Sequence, residues 1–282
     1  MILSKQIFKN SLKGLKISGL AGLSALLITV GFAHNYLYAS TITPANYNIS
    51  ELTSTLYRQA PADYVKPAYK YIISKNSTKT TTNELSAADA AEIMSQEIYR
   101  YFKVDITEKT IELSHGVNRI TSRPSWHGTL KMDSLYTIRL SIDSVTGEIS
   151  FIDRQLAQPA TSETSETIED LKRPILSNLD ANCKKAEDLI AASGYLPEKI
   201  KAVKFDGSTG LYLYEGPAGK EKIIGVTRGH KFNVTTVSDK TYQFTLSEDL
   251  TRIDSIYTPQ YVTDLNATVS AAISAAKTQN NK

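Results

Sequence analysis

The sequence predicts an α+β protein made of two tandem modules, each a helix packed on an antiparallel sheet. Three observations predict it. Residues 136–153 alternate apolar and polar side chains on both sides of a turn. A helical period precedes that hairpin at 86–102. The same order of helix, strands and terminal hairpin recurs loosely after residue 173.

Tyr136, Ile138, Leu140 and Ile142 alternate with Thr137, Arg139, Ser141 and Asp143. That two-residue period belongs to a strand with one buried face. Asp143-Ser144-Val145-Thr146-Gly147 supplies turn chemistry, and 148–152 reads as the returning strand. Upstream, Ser86 and Asp89 form a capping-box pattern. Ala87, Ala90, Ala91, Met94, Ile98 and Phe102 then recur at three- and four-residue steps, giving one apolar helix face. Residues 109–113 read as a first strand, and 114–135 as a longer connection that holds Arg123, Trp126 and His127.

The first module is thus expected over 84–154. Residues 40–83 form a connecting segment of mixed character that ends in the polar run 74–83. Residues 155–172, rich in Ser, Thr, Glu and Pro, read as a linker. The second module is expected over 173–262. Asp180 stands where it caps a helix lined by Leu179, Cys183, Ala186 and Ile190, and Gly194 stands where that helix ends. Strands follow at about 200–206, 210–215, 221–227 and 231–237, with Asp206-Gly207-Ser208-Thr209-Gly210 as a tight hairpin turn and Gly216 to Glu221 as another. Aligning Tyr242 with Tyr136 matches Leu246 to Leu140, Ser247 to Ser141 and Asp249 to Asp143, a pattern that duplication explains. Residues 263–282 read as an Ala-rich helical tail.

The N-terminus carries its own signal. Lys5, Lys9, Lys13 and Lys16 precede an apolar run at 17–39, and no acidic residue occurs before Glu51. This is the pattern of a signal peptide or a single membrane anchor, with the remainder of the chain outside the cytoplasmic membrane. The net charge of +3 comes from this leader. Its 4 lysines leave 28 of the 32 basic residues to face all 29 acidic ones, so nucleic acid is not an expected partner. A single cysteine, Cys183, permits no intramolecular disulfide, and a disulfide-free exported chain suits a bacterial envelope.

The first module resembles the PepSY family. The resemblance rests on Leu85-Ser86-Ala87-Ala88-Asp89-Ala90-Ala91 opening the helix and on Tyr136 through Glu148 with its I-D-x-x-T-G-E end. The stretch Trp126-His127-Gly128 is also similar to exported proteins of clostridial type. The second module departs from the pattern by carrying Leu250-Thr251-Arg252 in place of the Thr-Gly turn. The resemblance implies cystatin-like modules of envelope or secreted proteins, which bind peptides or restrain a protease. It implies no shared catalytic residue and no cofactor.

The densest set of interaction-type residues is His115, Arg123, Trp126, His127 and Tyr136. Trp and Arg are common interface anchors, and His adds pH sensitivity. The competing reading has Trp126 plugging the helix–sheet core while His127 bonds a loop carbonyl. A zinc site at His115, His127 and Asp133 lacks any recognised ligand spacing, and no metal is expected. No G-x-S-x-G motif occurs, and Cys183 falls on an apolar helix face, so no catalytic residue is expected. The resulting expectation is a non-enzymatic binding or regulatory protein of the cell envelope. It would recognise a peptide or an exported protein, a protease among them. A cell-envelope hydrolase and a structural accessory subunit are the alternatives.

Overall fold

Hydrophobic periodicity places the first helix and hairpin as expected. In the computed structural model, which describes residues 60–118, 120–159, 168–215 and 222–280, helix α1 spans Ala87–Phe102. Ser86 caps it, accepting the Asp89 amide at 3.2 Å and donating to the Asp89 carboxylate at 2.6 Å. Ala90, Ala91, Met94, Ile98, Tyr101 and Phe102 form its buried face. The expected leader at 1–39 and the turn at 216–221 lie outside the described residues.

Strand β1 (Lys70–Ile73) precedes α1. Four strands follow it as a meander, β2 (Thr110–Val117), β3 (Pro124–Lys131), β4 (Tyr136–Asp143) and β5 (Ile149–Leu156). The connection expected at 114–135 is therefore largely two paired strands. His115, Trp126 and His127 lie within them, with His115 opposite Trp126. Asp143 Oδ1 accepts the amides of Val145 and Thr146 and so nucleates the β4–β5 turn, which Gly147 completes at φ 72°.

The linker expected at 155–172 is also partly ordered structure. It holds the end of β5, the short strand β6 (Gln158–Pro159) and the start of helix α2 (Ile168–Leu176). Helix α3 (Leu179–Ser193) buries Ala186 and Ile190 and ends at Gly194, φ 67°. Its cap position is Asn178, which makes no side-chain cap bond, so Asp180 lies in the first turn instead.

Four short strands were expected next. The chain forms two long ones, β7 (Ile200–Glu215) and β8 (Lys222–Thr236), before β9 (Thr241–Ser247) and β10 (Ile253–Tyr257). Residues 206–210 make no hairpin turn: they continue β7 through a bulge at Gly207, φ 119°, a conformation that a glycine adopts without strain. Helix α4 (Pro259–Asn280) closes the described chain.

Among the described residues ten strands join one sheet, in the order β1-β2-β3-β4-β5-β10-β9-β8, with β7 along β8 and β6 pairing Gly225 and Val226 of β8. Of these described pairings only β1–β2 is parallel. The two halves meet at β5 and β10, where Ile152 faces Ile256 and Phe151 faces Tyr257. One apolar core runs through both, from Met94, Trp126 and Leu140 to Ile190, Phe232 and Phe244. Arg154 bridges the seam. Its guanidinium stacks on Phe102 at 4.8 Å, contacts Asp254 at 3.3 Å and donates to the Ile253 carbonyl at 2.9 Å. The Tyr195 hydroxyl donates to the Tyr101 carbonyl from the second half to the first.

α4 packs on β9 and β5. Tyr261 and Val262 are buried there, and the Tyr261 ring lies 5.4 Å from those of Phe151 and Tyr257. Asp153, on the same strand face as Phe151, is bonded by Arg139. Burial nonetheless raises its carboxyl above the ordinary range, because desolvation outweighs the pairing.

Candidate functional site

The edge of the sheet is built by the segment that leads into α1. Tyr64 and Tyr69 donate their hydroxyls to Glu92 at 3.2 and 2.9 Å, and Lys66 pairs with the same carboxylate at 2.9 Å. Burial pushes the Tyr64 hydroxyl up to about 12, and Glu92 reinforces the shift against the lowering effect of Ser95. These bonds dock residues 64–69 on α1 and deliver β1 beside β2.

β1 is the last strand on its side of the sheet among the described residues. The Lys70 amide donates to Lys109 and the Ser74 amide to Leu113. The two-residue ladder period then turns the amides of Tyr71 and Ile73 away from β2, toward open space. Tyr71, Ile72 and Ile73 expose 42%, 55% and 54% of their surface. An uncovered edge of large β-forming residues is a template for another strand.

A strap, residues 74–85, returns from β1 to α1 across the end of β2. The Thr78 amide donates to the His115 carbonyl at 2.9 Å, the His115 amide donates to Ser77 Oγ at 2.8 Å, and the Leu85 amide donates to Ser144 at 2.6 Å. His115 itself is buried, with Nδ1 2.9 Å from Thr78 Oγ1 and Nε2 3.6 Å from a Glu84 carboxylate oxygen.

The five residues expected to form one site are divided. Trp126 fills the core and donates its indole N–H to the Leu85 carbonyl at 2.9 Å, so it pins the strap's end. Its ring lies 5.0 Å from that of His115. Arg123 begins the same hairpin arm and approaches Asp143 at 3.9 Å. His127 alternates with Trp126 along β3 and so faces the other side of the sheet. Burial holds its imidazole below the usual range, and His115 adds to the effect. Tyr136 sits at the far end of β4, six residues from the partner of Trp126. His115 and Trp126 are thus one unit, Arg123 is nearby, and His127 and Tyr136 are elsewhere. Asp133, at the β3–β4 turn, accepts the Leu135 and Tyr136 amides. It is remote from both histidines, and no convergent group of metal-ligating side chains occurs among the described residues.

The second half contains a groove of about 710 Å³ lined by Arg228, His230, Glu248, Asp249 and Arg252. Both imidazole nitrogens of His230 are engaged: Nδ1 lies 2.8 Å from Ser208 Oγ and Nε2 3.2 Å from the Glu248 carbonyl. Ser208 and His230 are 2% and 1% exposed, which is the environment of a satisfied core pair. Cys183 is half-buried against the core.

Sequence reading left residues 64–74 open between helix and strand and did not identify the edge or the strap. The signal was present in Tyr71-Ile72-Ile73, a β-forming triplet between Pro67 and a polar run, but four residues are too few for a period to stand out. No protein-family model, no curated protein and no solved structure matches this chain.

Proposed function

We propose that this chain is a binding protein of the bacterial envelope that works by contact and recognises an extended peptide or protein segment as an added strand along β1. The observation that carries this reading is the outer edge of β1, where the Tyr71 and Ile73 amides point outward between three exposed apolar side chains. Strand addition draws affinity from main-chain bonds and specificity from alternate side chains. The lysine-rich, apolar N-terminus supports display beyond the cytoplasmic membrane, either anchored or released. The likeness to PepSY modules supports a peptide or a protease among exported partners, and two cystatin-like repeats as the ancestry of the fold.

The test uses full-length chain in detergent, against which extended peptides are selected from a random library. Ile73→Pro removes one outward amide without touching a β1–β2 bond, and proline is tolerated on a strand edge. The selected peptides are expected to lose about tenfold or more in affinity for Ile73→Pro, and the Tyr71 amide is expected to gain protection from hydrogen exchange when they bind. Equal affinity for both proteins, or no selection at all, would overturn the reading.

A further inference from the structure

We infer that the pocket beyond the N-terminal end of β1 takes one lysine or arginine side chain of the segment that adds to the β1 edge, so that the recognised sequence carries a basic residue at a fixed flank. The inference rests on the reading of β1 as a strand-addition edge and names the chemistry of its partner.

The position follows from the topology. β1 and β2 run parallel, with Lys70 beside Thr110, so both strands begin at the same end of the sheet. The segments that lead into them, 63–68 and 104–107, part around a pocket of about 410 Å³, with Ser95 and Tyr99 of α1 as a third wall. The Glu108 amide donates to the Ala68 carbonyl at 2.8 Å and ties the two segments together where the strands start. A chain laid along β1 and continued past Lys70 runs beside Ala68 and Pro67, which line that pocket. At about 3.3 Å per residue, it arrives there about two to four residues beyond the one opposite Lys70.

The walls are aliphatic and aromatic. Val65, Pro67, Val104 and Ile106 line the pocket with Tyr64 and Tyr99, whose rings meet edge to face at 5.6 Å. Small-molecule sites run from roughly 300 to 1,000 Å³. A volume near the bottom of that range suits one long side chain. Val65 is 83% exposed, so the mouth is open to an incoming chain.

Charge decides which side chain. Lys66 lines the pocket, but its ammonium pairs with Glu92 at 2.9 Å. Asp63 is engaged by Lys103 at 3.0 Å and by the Tyr99 hydroxyl at 3.1 Å. Asp105 differs. Both of its bonds, from the Thr107 amide at 2.8 Å and the Thr107 hydroxyl at 2.7 Å, fall on Oδ1. These donors hold its carboxyl below the ordinary range, so it stays charged. Among the described residues no basic side chain pairs with it, and Oδ2 is left to a donor from outside. A lysine or arginine satisfies both parts of the pocket, with its methylene stem along the apolar walls and its head at Asp105. The chain itself uses this chemistry on the other side: Lys103 Nζ lies 4.4 Å from the centre of the Tyr99 ring while it pairs with Asp63.

The peptides selected against the full-length chain in detergent supply the test. They are expected to share a lysine or arginine at one flank of the β-forming stretch, on the same side in every sequence. One such peptide and its counterpart with methionine at the basic position are then titrated into wild type and Asp105→Asn at low salt. Asparagine keeps Oδ1 for Thr107 and turns Oδ2 into a donor, so the local turn is preserved while the charge is lost. In wild type the methionine peptide is expected to bind about threefold to tenfold more weakly than the basic one. With Asp105→Asn the two peptides are expected to bind alike, as a double-mutant cycle would show. Selected peptides without a basic flank would overturn the inference. So would an equal loss from methionine in wild type and in Asp105→Asn. Either result leaves the loss in Ile73→Pro standing, so this inference can fail while strand addition holds; the absence of any selected peptide removes both.

Discussion

Trp126 and His230 hold the same place in the two halves of the sheet. Trp126 faces Ile142 of β4, and His230 faces Leu246 of β9. Ile142 and Leu246 each precede a one-residue bulge in the returning strand, at Ser150 and at Asp254. Each ring reaches a backbone carbonyl, Leu85 from the indole and Glu248 from the imidazole. The registers of the two meanders thus correspond across the β5–β10 seam. The bulges set the match: Ile142 corresponds to Leu246 and Ile138 to Tyr242. The identity-based alignment of Tyr136 with Tyr242 is two residues out of step. A two-residue slip keeps every side chain on its face, so alternation alone could not expose it.

Trp126 is expected to contribute to stability in two separable parts. Trp126→Phe keeps most of the packing but leaves the Leu85 carbonyl without its donor, at a cost of about 1–3 kcal/mol. Trp126→Ala also opens a cavity in the core, for a total of about 3–5 kcal/mol. Urea unfolding followed by far-UV circular dichroism measures both. Equal losses for the two variants would show that the indole bond, not ring volume, dominates.

Two glycines are expected to resist replacement for different reasons. A methyl at Gly128 would collide with the sulfur of Met94 and approach Leu140 at 3.2 Å. Met94 is fully buried, so its side chain must repack within the core to make room, and Gly128→Ala should cost about 1–3 kcal/mol. Met94→Ala in the same chain should recover much of that cost, as a double-mutant cycle would show. A methyl at Gly229 would meet the Leu246 carbonyl at 2.5 Å, which is backbone of the paired strand. No side-chain change can relieve that contact, so Gly229→Ala should be the more damaging of the two. Full rescue of Gly229→Ala by Thr245→Ser would contradict this ordering.

Much of this fold is visible in the chain, and the reasons for the exceptions are physical. The α1 face and the β4–β5 hairpin are legible because each buries one side against a layer, which imposes period on 87–102 and 136–156. The fusion of the halves is not legible. Strand β5 reads the same whether its outer edge meets water or β10, since pairing uses backbone groups that every residue carries. The long β7–β8 hairpin was cut in two because Asp206-Gly207-Ser208-Thr209-Gly210 has turn composition; in the fold that glycine makes a bulge, which draws on the same residue type. Of the candidate site, the His115–Trp126 pair survives as a unit. His127 could not be separated from it without knowing that 114–135 is strand, in which neighbours point to opposite faces.

The β9–β10 turn should titrate in acid. The hydroxyls of Ser247 and Thr251 donate to Asp249 and hold its carboxyl at about 2, against an ordinary value of 3.8. The folded-state value is depressed, so the stabilisation is fully present above the unfolded value and is lost as pH falls through about 2. Asp249→Asn should therefore be less stable than wild type at about pH 5, with the gap closing by about pH 2. Comparing variant with wild type at each pH cancels the opposite trend from Asp153, whose raised carboxyl favours the folded state as protons are added. A gap that stays constant from neutral pH to strong acid would show that Asp249 acts without its charge.

The continuous core predicts that the two halves unfold together. Trp126 is the only tryptophan and lies in the first half, and Cys183 is the only cysteine and lies in the second. Fluorescence and thiol labelling therefore report on different halves of the same wild-type chain. Separate modules on a linker would give two midpoints in urea. A shared sheet with Ile152 against Ile256 and a half-buried Arg154 across the seam should give one, with both probes coincident. Arg154→Ala removes the stacking on Phe102 and leaves Asp254 paired with Arg252. That change should lower both midpoints, and by the same amount, because it strikes the junction and not either half. Cys183 becoming reactive at urea concentrations where Trp126 remains native would break the argument, since the second meander would then open without the first.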